Sequence, residues 1–600
     1  MHHDRRWLAV LAIALGFAAC GGGSNGGAPA SGSDGGGGDG GGSGGSSGGG
    51  SSDSGTPQGD SGNDGSNGDD GGGVSPISGV RAFFTDLVSG PNTGGENGKG
   101  AHVTVYGNGF GASRGASTVT IGGGAADNYP VWSETKITFQ LGAAATTGSI
   151  VVHVSGKGDS NGLAFNVRAG NIFFVSSTGS DTNNGAFSTP WATIPQAKNS
   201  IQAGDVAYIG THSRDAVSQT ALDQSSAYAC ALGMSVNDGT NQGTAAAPKA
   251  LVVYPGATAT VGVANGLERG ILVPAISGTF DYWVIAGFTL LGQDEALDME
   301  GQANGWRVIG NDISCPNGTG KTGCVTGNPE QLSFYGNVVH DAAANVATSA
   351  ITKYYHGVYW GSSHIDMGWN TVRDGKTCRA IQFHDTGGPN EFDLHVHDNL
   401  IHGTVCDGLN FATVDPSQGT VEAYNNVIYD VGQGPDPADG SADYAGVYVA
   451  GETDSGPAGS GTVQVYDNTL YDCGSWTTNS SAGGFNNGGG NTSLTLNAVN
   501  NVVVAASSLE SYVAKDSAQG LVVGKNNLFF GGGSLPAGFT ATVTGDPMFA
   551  NAAGHDFHLS SKSSPAVGAG VDTMIATDFD GYLRPSSGAY AIGAYEYHAP

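Results

Sequence analysis

Basic residues are scarce in this chain. Its 600 residues carry 22 Lys and Arg against 52 Asp and Glu, a formal net charge of −30. That balance disfavours nucleic acid and anionic lipid headgroups as partners. It also opposes a strongly anionic polysaccharide, unless one groove is locally basic. Long apolar runs are missing: nothing reaches the ~18 continuous apolar residues of a membrane-spanning helix. No two cysteines have CxxC spacing, which argues against a zinc site. Beyond residue 300 no helix-length amphipathic run occurs.

What is present begins with MHHDRRWLAVLAIALGFAAC. Arg5 and Arg6 precede a short apolar run, then two alanines and Cys20, the pattern of a secretory leader. The Phe-Ala-Ala-Cys end resembles a bacterial lipobox, with Phe17 where Leu is usual. This implies residues 1–20 as a lipoprotein signal and Cys20 as the lipidated first residue of the mature protein. The chain would then be anchored to the bacterial outer membrane or cell surface; a plain secretory leader cut near Ala19 is the alternative. Residues 21–74 are almost only Gly, Ser and Asp. They have nothing to bury and read as a flexible tether.

Residues 75–168 hold short alternating runs between Gly-rich turns, "AHVTVYGNGF", "STVTIGG", "WSETKITFQL" and "SIVVHVSG", which predict a small all-β domain. Their order resembles the immunoglobulin-like IPT/TIG fold, a spacer or carbohydrate-associated module.

From residue 300 onward one phrase returns, as in "WRVIGNDIS", "LSFYGNVVH", "LHVHDNLIH" and "VQVYDNTLY". Its asparagines are Asn311, Asn337, Asn370, Asn399, Asn426, Asn468, Asn501 and Asn527. Repeats of this size with period-2 strands signal a β-solenoid, each coil pairing with the next. The asparagines are expected at a sharp bend in the left-handed conformation, stacked as an internal ladder. Residues 173–197, "FFVSSTGSDTNNGAFSTPWATIPQA", and the C-terminal "GDPMFANAAGHDFHLSS…DFDGYLRPSSGAYAIGAYEY" resemble the opening and the tail of the pectate-lyase-like superfamily, with Gly568 where the tail usually has Asp. The fold class that follows is all-β: a right-handed parallel β-helix over residues 169–600, preceded by a small immunoglobulin-like β-sandwich.

Aligning the coils on the asparagines makes polar columns, which should face out, between apolar ones, which should face in. One holds Asp366, His395, Glu422 and Gln464; another holds His397, Tyr424 and Tyr466; a third holds Arg373, His402, Tyr429 and Tyr471. A second strand series, "GVYWG", "AIQFH", "GLNFA", "GVYVA" and "GFNNG", gives an outward column of Tyr359, Gln382, Asn410, Tyr448 and Asn486. His356, Arg379 and Asp407 just precede successive strands and should stack ~5 Å apart. Six cysteines remain after Cys20, an even set that reads as disulfides in an exported protein. Cys378 and Cys406 lie one coil apart, Cys315 and Cys324 close a loop, and Cys230 with Cys473 is the remaining pair.

A strip of aromatic, amide, imidazole and carboxylate groups suits sugar rings. Tyr359, Gln382, Asn410, Tyr448, His402 and Tyr424 are the expected substrate contacts, and a polysaccharide the expected partner. The superfamily resemblance implies a lyase that removes the proton beside a uronate carboxylate. Lys376, Arg379 or Arg373 would be the base, His384 or His402 the acid, and calcium or a basic residue would neutralise the carboxylate. Arg379 with Asp407 reads equally as a structural ion pair. A hydrolase on the same fold would need a carboxylate pair from Asp366, Asp374, Asp385, Asp407 and Glu422. Neither chemistry's signature is complete, and lone aspartates such as Asp398, Asp430 and Asp472 read as turn residues. Two oxygen-rich loops, residues 180–185 and 436–443, suit calcium. The alternative without chemistry is a monomeric glycan-binding or adhesion lipoprotein.

Overall fold

A computed structural model describes residues 79–214, 219–220, 229–237, 239–385, 391–452, 458–488, 492–517 and 521–599. The leader, Cys20 and the tether lie outside the described residues. No described helix is long and apolar enough to cross a membrane.

The first described domain is a sandwich. One sheet holds Arg81–Thr85, His102–Asn108, Lys136–Gln140 and Asn128–Trp132. The other is built on Leu163–Val167, Gly148–Val154 and Thr118–Ile121. Inward Val103, Val105, Ile137, Phe139, Ile150 and Val152 are fully buried between them. The alternating pattern read from the sequence is the alternation of these faces.

The remaining chain winds into a parallel β-helix of three sheets. A long sheet of 13 strands runs from Ile172–Val175 to Phe539–Thr540. A second, of 12 strands, runs from His212–Arg214 to Val543–Thr544, and a third, of 10, ends at Ala482–Asn487. Each coil adds a strand to each sheet, as Ile365–Gly368, Thr371–Arg373 and Arg379–Phe383 do. The first coil is capped by the helix Ile194–Ser200, whose N-cap Thr193 accepts a bond from the Gln196 N–H. In the third sheet Val325, Val358, Ile381, Leu409, Val447 and Phe485 stand in register, pointing inward and fully buried. Each such side chain contributes roughly 1.5–3 kcal/mol by leaving water.

The asparagine ladder stands as expected. Asn399 is typical: its Nδ2 donates to Asn426 Oδ1 at 3.0 Å and to the Met367 carbonyl at 2.9 Å. Its Oδ1 accepts from the backbone N–H and the Nδ2 of Asn370. The left-handed residue, however, is the one before each ladder Asn. Gly310, Gly336, Trp369, Asp398, Asn425, Asp467, Asn500 and Asn526 all have φ between 52° and 62°. The physical reason is division of labour: the preceding residue makes the corner, and the Asn side chain turns inward to serve the next coil. Trp369 is costly there. Its ring is held against Phe83 and Phe84 of the sandwich, with centroids 5.7 and 5.1 Å away.

Two expected disulfides form, Cys315–Cys324 and Cys378–Cys406, the latter across adjacent coils with Cα atoms 4.5 Å apart. Cys230 and Cys473 are not joined to one another; both are buried thiols. They occupy different sheets, in strands Ala229–Gly233 and Thr469–Cys473, so winding never brings them together.

Candidate functional site

The three outer faces of the β-helix meet different neighbours. On the second sheet, Leu400, Val427 and Tyr429 are packed under Phe557, Phe579 and Tyr595 of the C-terminal tail. Val502, Val504 and Leu528 lie under Leu559, Ala591 and Ile592. The early strands of the long sheet dock on the sandwich through Tyr208, Val252, Val284 and Ile309. The third sheet carries a polar furrow instead.

Register builds that furrow in two columns. Asp298, Thr326, Tyr359, Gln382, Asn410, Tyr448 and Asn486 are successive partners in one. Arg269 pairs with Glu295, and His356 with Arg379, in the other. Arg379 donates to Asp407 at 3.1 Å and to the Lys353 carbonyl at 3.1 Å, and lies 3.6 Å from Asp443. Asp407 also accepts from Asn410 Nδ2 and the Ala445 N–H. Burial would lower the Arg379 pKa, but Asp407 and Asp443 outweigh it and raise it. Arg379 is therefore a fixed cation and no base.

The middle of the furrow is half-open at Tyr359, Arg379 and His384. The Tyr359 hydroxyl lies 3.1 Å from His384 Nδ1, and the two rings stack. Burial, with Glu391 and Asp385 nearby, pushes the Tyr359 phenol up to about 12, so it holds its proton at neutral pH. Behind Tyr359 stacks His356, kept neutral by burial and by Arg379 and His384.

On its other side Tyr359 borders a cavity of about 390 Å³, lined also by Glu268, Asp294, Glu295, Glu300 and Lys321. Glu295 and Asp298 share Arg269 Nε at 2.8 and 2.5 Å. Burial, reinforced by neighbouring carboxylates, pushes Glu295 up to about 8 and Asp298 to about 7.

The structure sorts the residues expected from sequence. Tyr359, Arg379, His384 and Asp407 meet in the furrow. Gln382, Asn410 and Tyr448 face outward as read, yet they are buried rather than an exposed sugar platform. They are packed within the sheet's own column, where Asn410 donates to Asp407 and Tyr448 bonds Glu452. Lys376 donates to the Val346 carbonyl on a turn between the second and third sheets. Arg373 pairs with Asp374, and His402 stacks on Tyr429, both on the second sheet. Tyr424 stands on the long sheet against His397. The acidic end was missed. Its signal is present in "RGILV", "EALDM" and "GCVTG", which extend the "GVYWG" strand series toward the N-terminus.

The long sheet holds a separate network. His397 is buried, bonded to Asp366 at 2.9 Å and Asp398 at 2.8 Å. His395 bonds Glu422 at 2.6 Å, and Tyr466 donates to the same carboxylate. Burial would pull His397 down, but Asp366 and Asp398 outweigh it and push it up to about 9. A raised His stabilises fully below its unfolded value of ~6.5, and that contribution vanishes as pH rises through about 9. Raised carboxylic acids such as Glu295 and Asp298 act with the same sign, losing stability as pH rises through about 7 to 8. The thermal midpoint should therefore fall between pH 6 and 9.5, and His397→Gln should flatten the fall by up to ~3 kcal/mol. A midpoint that rises over this range contradicts the assignment.

Neither oxygen-rich loop forms a calcium cradle. Asp181 accepts from the Ala192 and Thr193 N–H groups and from the Thr193 hydroxyl. Asp436 accepts from Tyr444, Asp439 from the Lys353 N–H, and Asp443 faces Arg379. Among the described residues no group of three or more His, Cys, Asp or Glu could hold a metal ion.

Residues 84–167 match the IPT/TIG domain family. None of the curated proteins compared matches the chain. Among solved structures the chain is similar to pectate lyase Pel9A, at 13% identity over 71% of this chain and 96% of that one, with a TM-score of 0.42. A rhamnogalacturonan lyase is 15% identical over 62% and 84%, with a TM-score of 0.31. XylC in complex with xylose is 9% identical over 71% and 99%, with a TM-score of 0.40. These likenesses concern the fold alone.

Proposed function

We propose that this protein is a polysaccharide-cleaving enzyme whose substrate lies along the third-sheet furrow, and that it acts as a lyase by β-elimination. The observation that carries this reading is the half-open Tyr359–His384 pair, 3.1 Å apart, beside the Arg379 cation. In the elimination a base removes the proton beside the uronate carboxylate, a C=C bond forms, and the glycosidic C–O bond breaks. The departing oxygen takes a proton. His384 supplies the basic nitrogen and Tyr359 the acidic hydroxyl. Arg379, fixed between Asp407 and Asp443, is the guanidinium beside which the uronate carboxylate would be oriented. Lipidation at Cys20, with the tether behind it, would hold this activity at a cell surface.

A second reading rests on the acidic end of the furrow. A carboxylic acid raised to about 8, as Glu295 is, can donate a proton to a leaving sugar at neutral pH. With a neighbouring carboxylate it would make a glycoside hydrolase for a neutral glycan.

The test is the full chain on a panel of uronate-containing and neutral polysaccharides, with ultraviolet absorbance and reducing ends read separately. Both signals on a uronate polymer are expected. Reducing ends alone would establish hydrolysis, and saturable binding without either signal would return the adhesion reading.

A further inference from the structure

A second cavity, of about 260 Å³, lies between the sandwich and the β-helix. Its walls come from the sandwich strands His102–Asn108 and Lys136–Gln140, the long-sheet strands Val206–Ile209 and Lys249–Val253, and the turn 254–258. It is independent of the third-sheet furrow and has no part in the chemistry above.

The lining is aromatic and hydroxylic. Tyr106, Tyr208 and Tyr254 present rings, and Tyr254 is half-exposed. Thr104 and Thr138 bond each other through their hydroxyls at 3.0 Å. His102 is 97% buried, at 3% exposure, and stands edge-on to both Tyr208 and Tyr254. Neither ring nitrogen has a hydrogen-bond partner among the described residues, although Nε2 lies 3.5 Å from Glu96. Charge in the cavity is balanced, with Lys136 on one side and Asp86 on the other. Burial pushes Asp86 up to about 6.

We propose that this junction cavity is a binding site for one neutral sugar residue, seated against Tyr254 with His102 in its wall. Aromatic walls with a few fixed polar atoms are what a sugar ring needs. The volume lies just under the ~300 Å³ at which sites for larger ligands begin, so one ring fits and an oligosaccharide chain does not. The site would give the sandwich a part in glycan capture beyond that of a spacer.

The test titrates the methyl β-glycosides of glucose, galactose and xylose into the full chain, observed by calorimetry and by histidine-selective NMR. Saturable binding of at least one probe is expected, with the His102 resonance moving along the same isotherm. Val131→Trp fills the half-buried rim and Tyr254→Ala removes the ring; each should weaken binding about tenfold or more. Tyr359→Phe, in the furrow, should leave it unchanged. No binding by any of the three probes overturns the proposal, as does binding that persists in both rim variants or leaves the wild-type His102 signal unmoved. Binding lost only in Tyr359→Phe would place the sugar in the furrow instead.

Discussion

Replacing Tyr359 by Phe is expected to lower turnover by roughly 10²–10⁴-fold while leaving the fold intact. The substitution removes one oxygen from a ring already held by His356 and His384. The proton that the leaving oxygen requires then has no donor at that position. His384→Ala should lose a similar factor, because the base goes with it. Lys376→Ala and Arg373→Ala should change turnover by less than about 2-fold, since the losses of general acid–base catalysis arise only at groups in reach of the reacting atoms. Both of those cations point away from the furrow. Arg379→Ala is a poorer test: it leaves Asp407 buried without its cation, a defect costing roughly 3–5 kcal/mol. Loss of activity there would not separate chemistry from unfolding. If Tyr359→Phe retains full activity, the elimination site is misplaced.

The largest expected effect on stability comes from the ladder. Asn399→Leu keeps volume and apolar packing but removes an amide with bonds on both sides. Two donors of Asn370 lose their acceptor and the Met367 carbonyl loses its donor, all in a buried corner. At roughly 1–3 kcal/mol per orphaned group, the three groups together should cost the variant about 3–9 kcal/mol. Because coils depend on their neighbours, the damage should be local. Amide exchange should quicken in residues 365–428, while the sandwich strand His102–Asn108 keeps its protection. A loss under ~1 kcal/mol, or uniform exchange throughout, would show that the ladder is not what registers the coils.

The sequence made the coils legible because each repeats one demand. A corner, an inward amide and an alternating strand recur in "LHVHDNLIH" as in "VQVYDNTLY", so strand faces and the Cys378–Cys406 bridge could be read by counting. The corner was misassigned by one residue because Asn is tolerated there, and Asp398 or Trp369 does not advertise a left-handed backbone. Burial was the harder quantity. Gln382, Asn410 and Tyr448 point outward by alternation, but alternation carries no information about how closely outward side chains pack on their neighbours, as Asn410 does on Asp407 and Tyr448 on Glu452. The same limit applies to Arg373 and His402. Their column faces out, yet the tail covers that sheet, and nothing in the strand pattern says where the tail lands. Of the lone aspartates, Asp398 holds a left-handed corner as read, whereas Asp430 and Asp472, though left-handed, stand inside the strands Val427–Val431 and Thr469–Cys473. Glu295 and Asp298 were missed because their coils precede the residues from which the repeat was counted.

A glycan cleaved in the third-sheet furrow should be visible there in a crystal structure of Tyr359→Phe soaked with an uncleaved uronate oligosaccharide. Sugar rings are expected over residue 359, with a uronate carboxylate on the Arg379 side and the chain running toward the cavity at Glu295. An oligosaccharide seated instead on the long sheet around His395 and Glu422, or on the sandwich alone with the furrow unvisited, would contradict it.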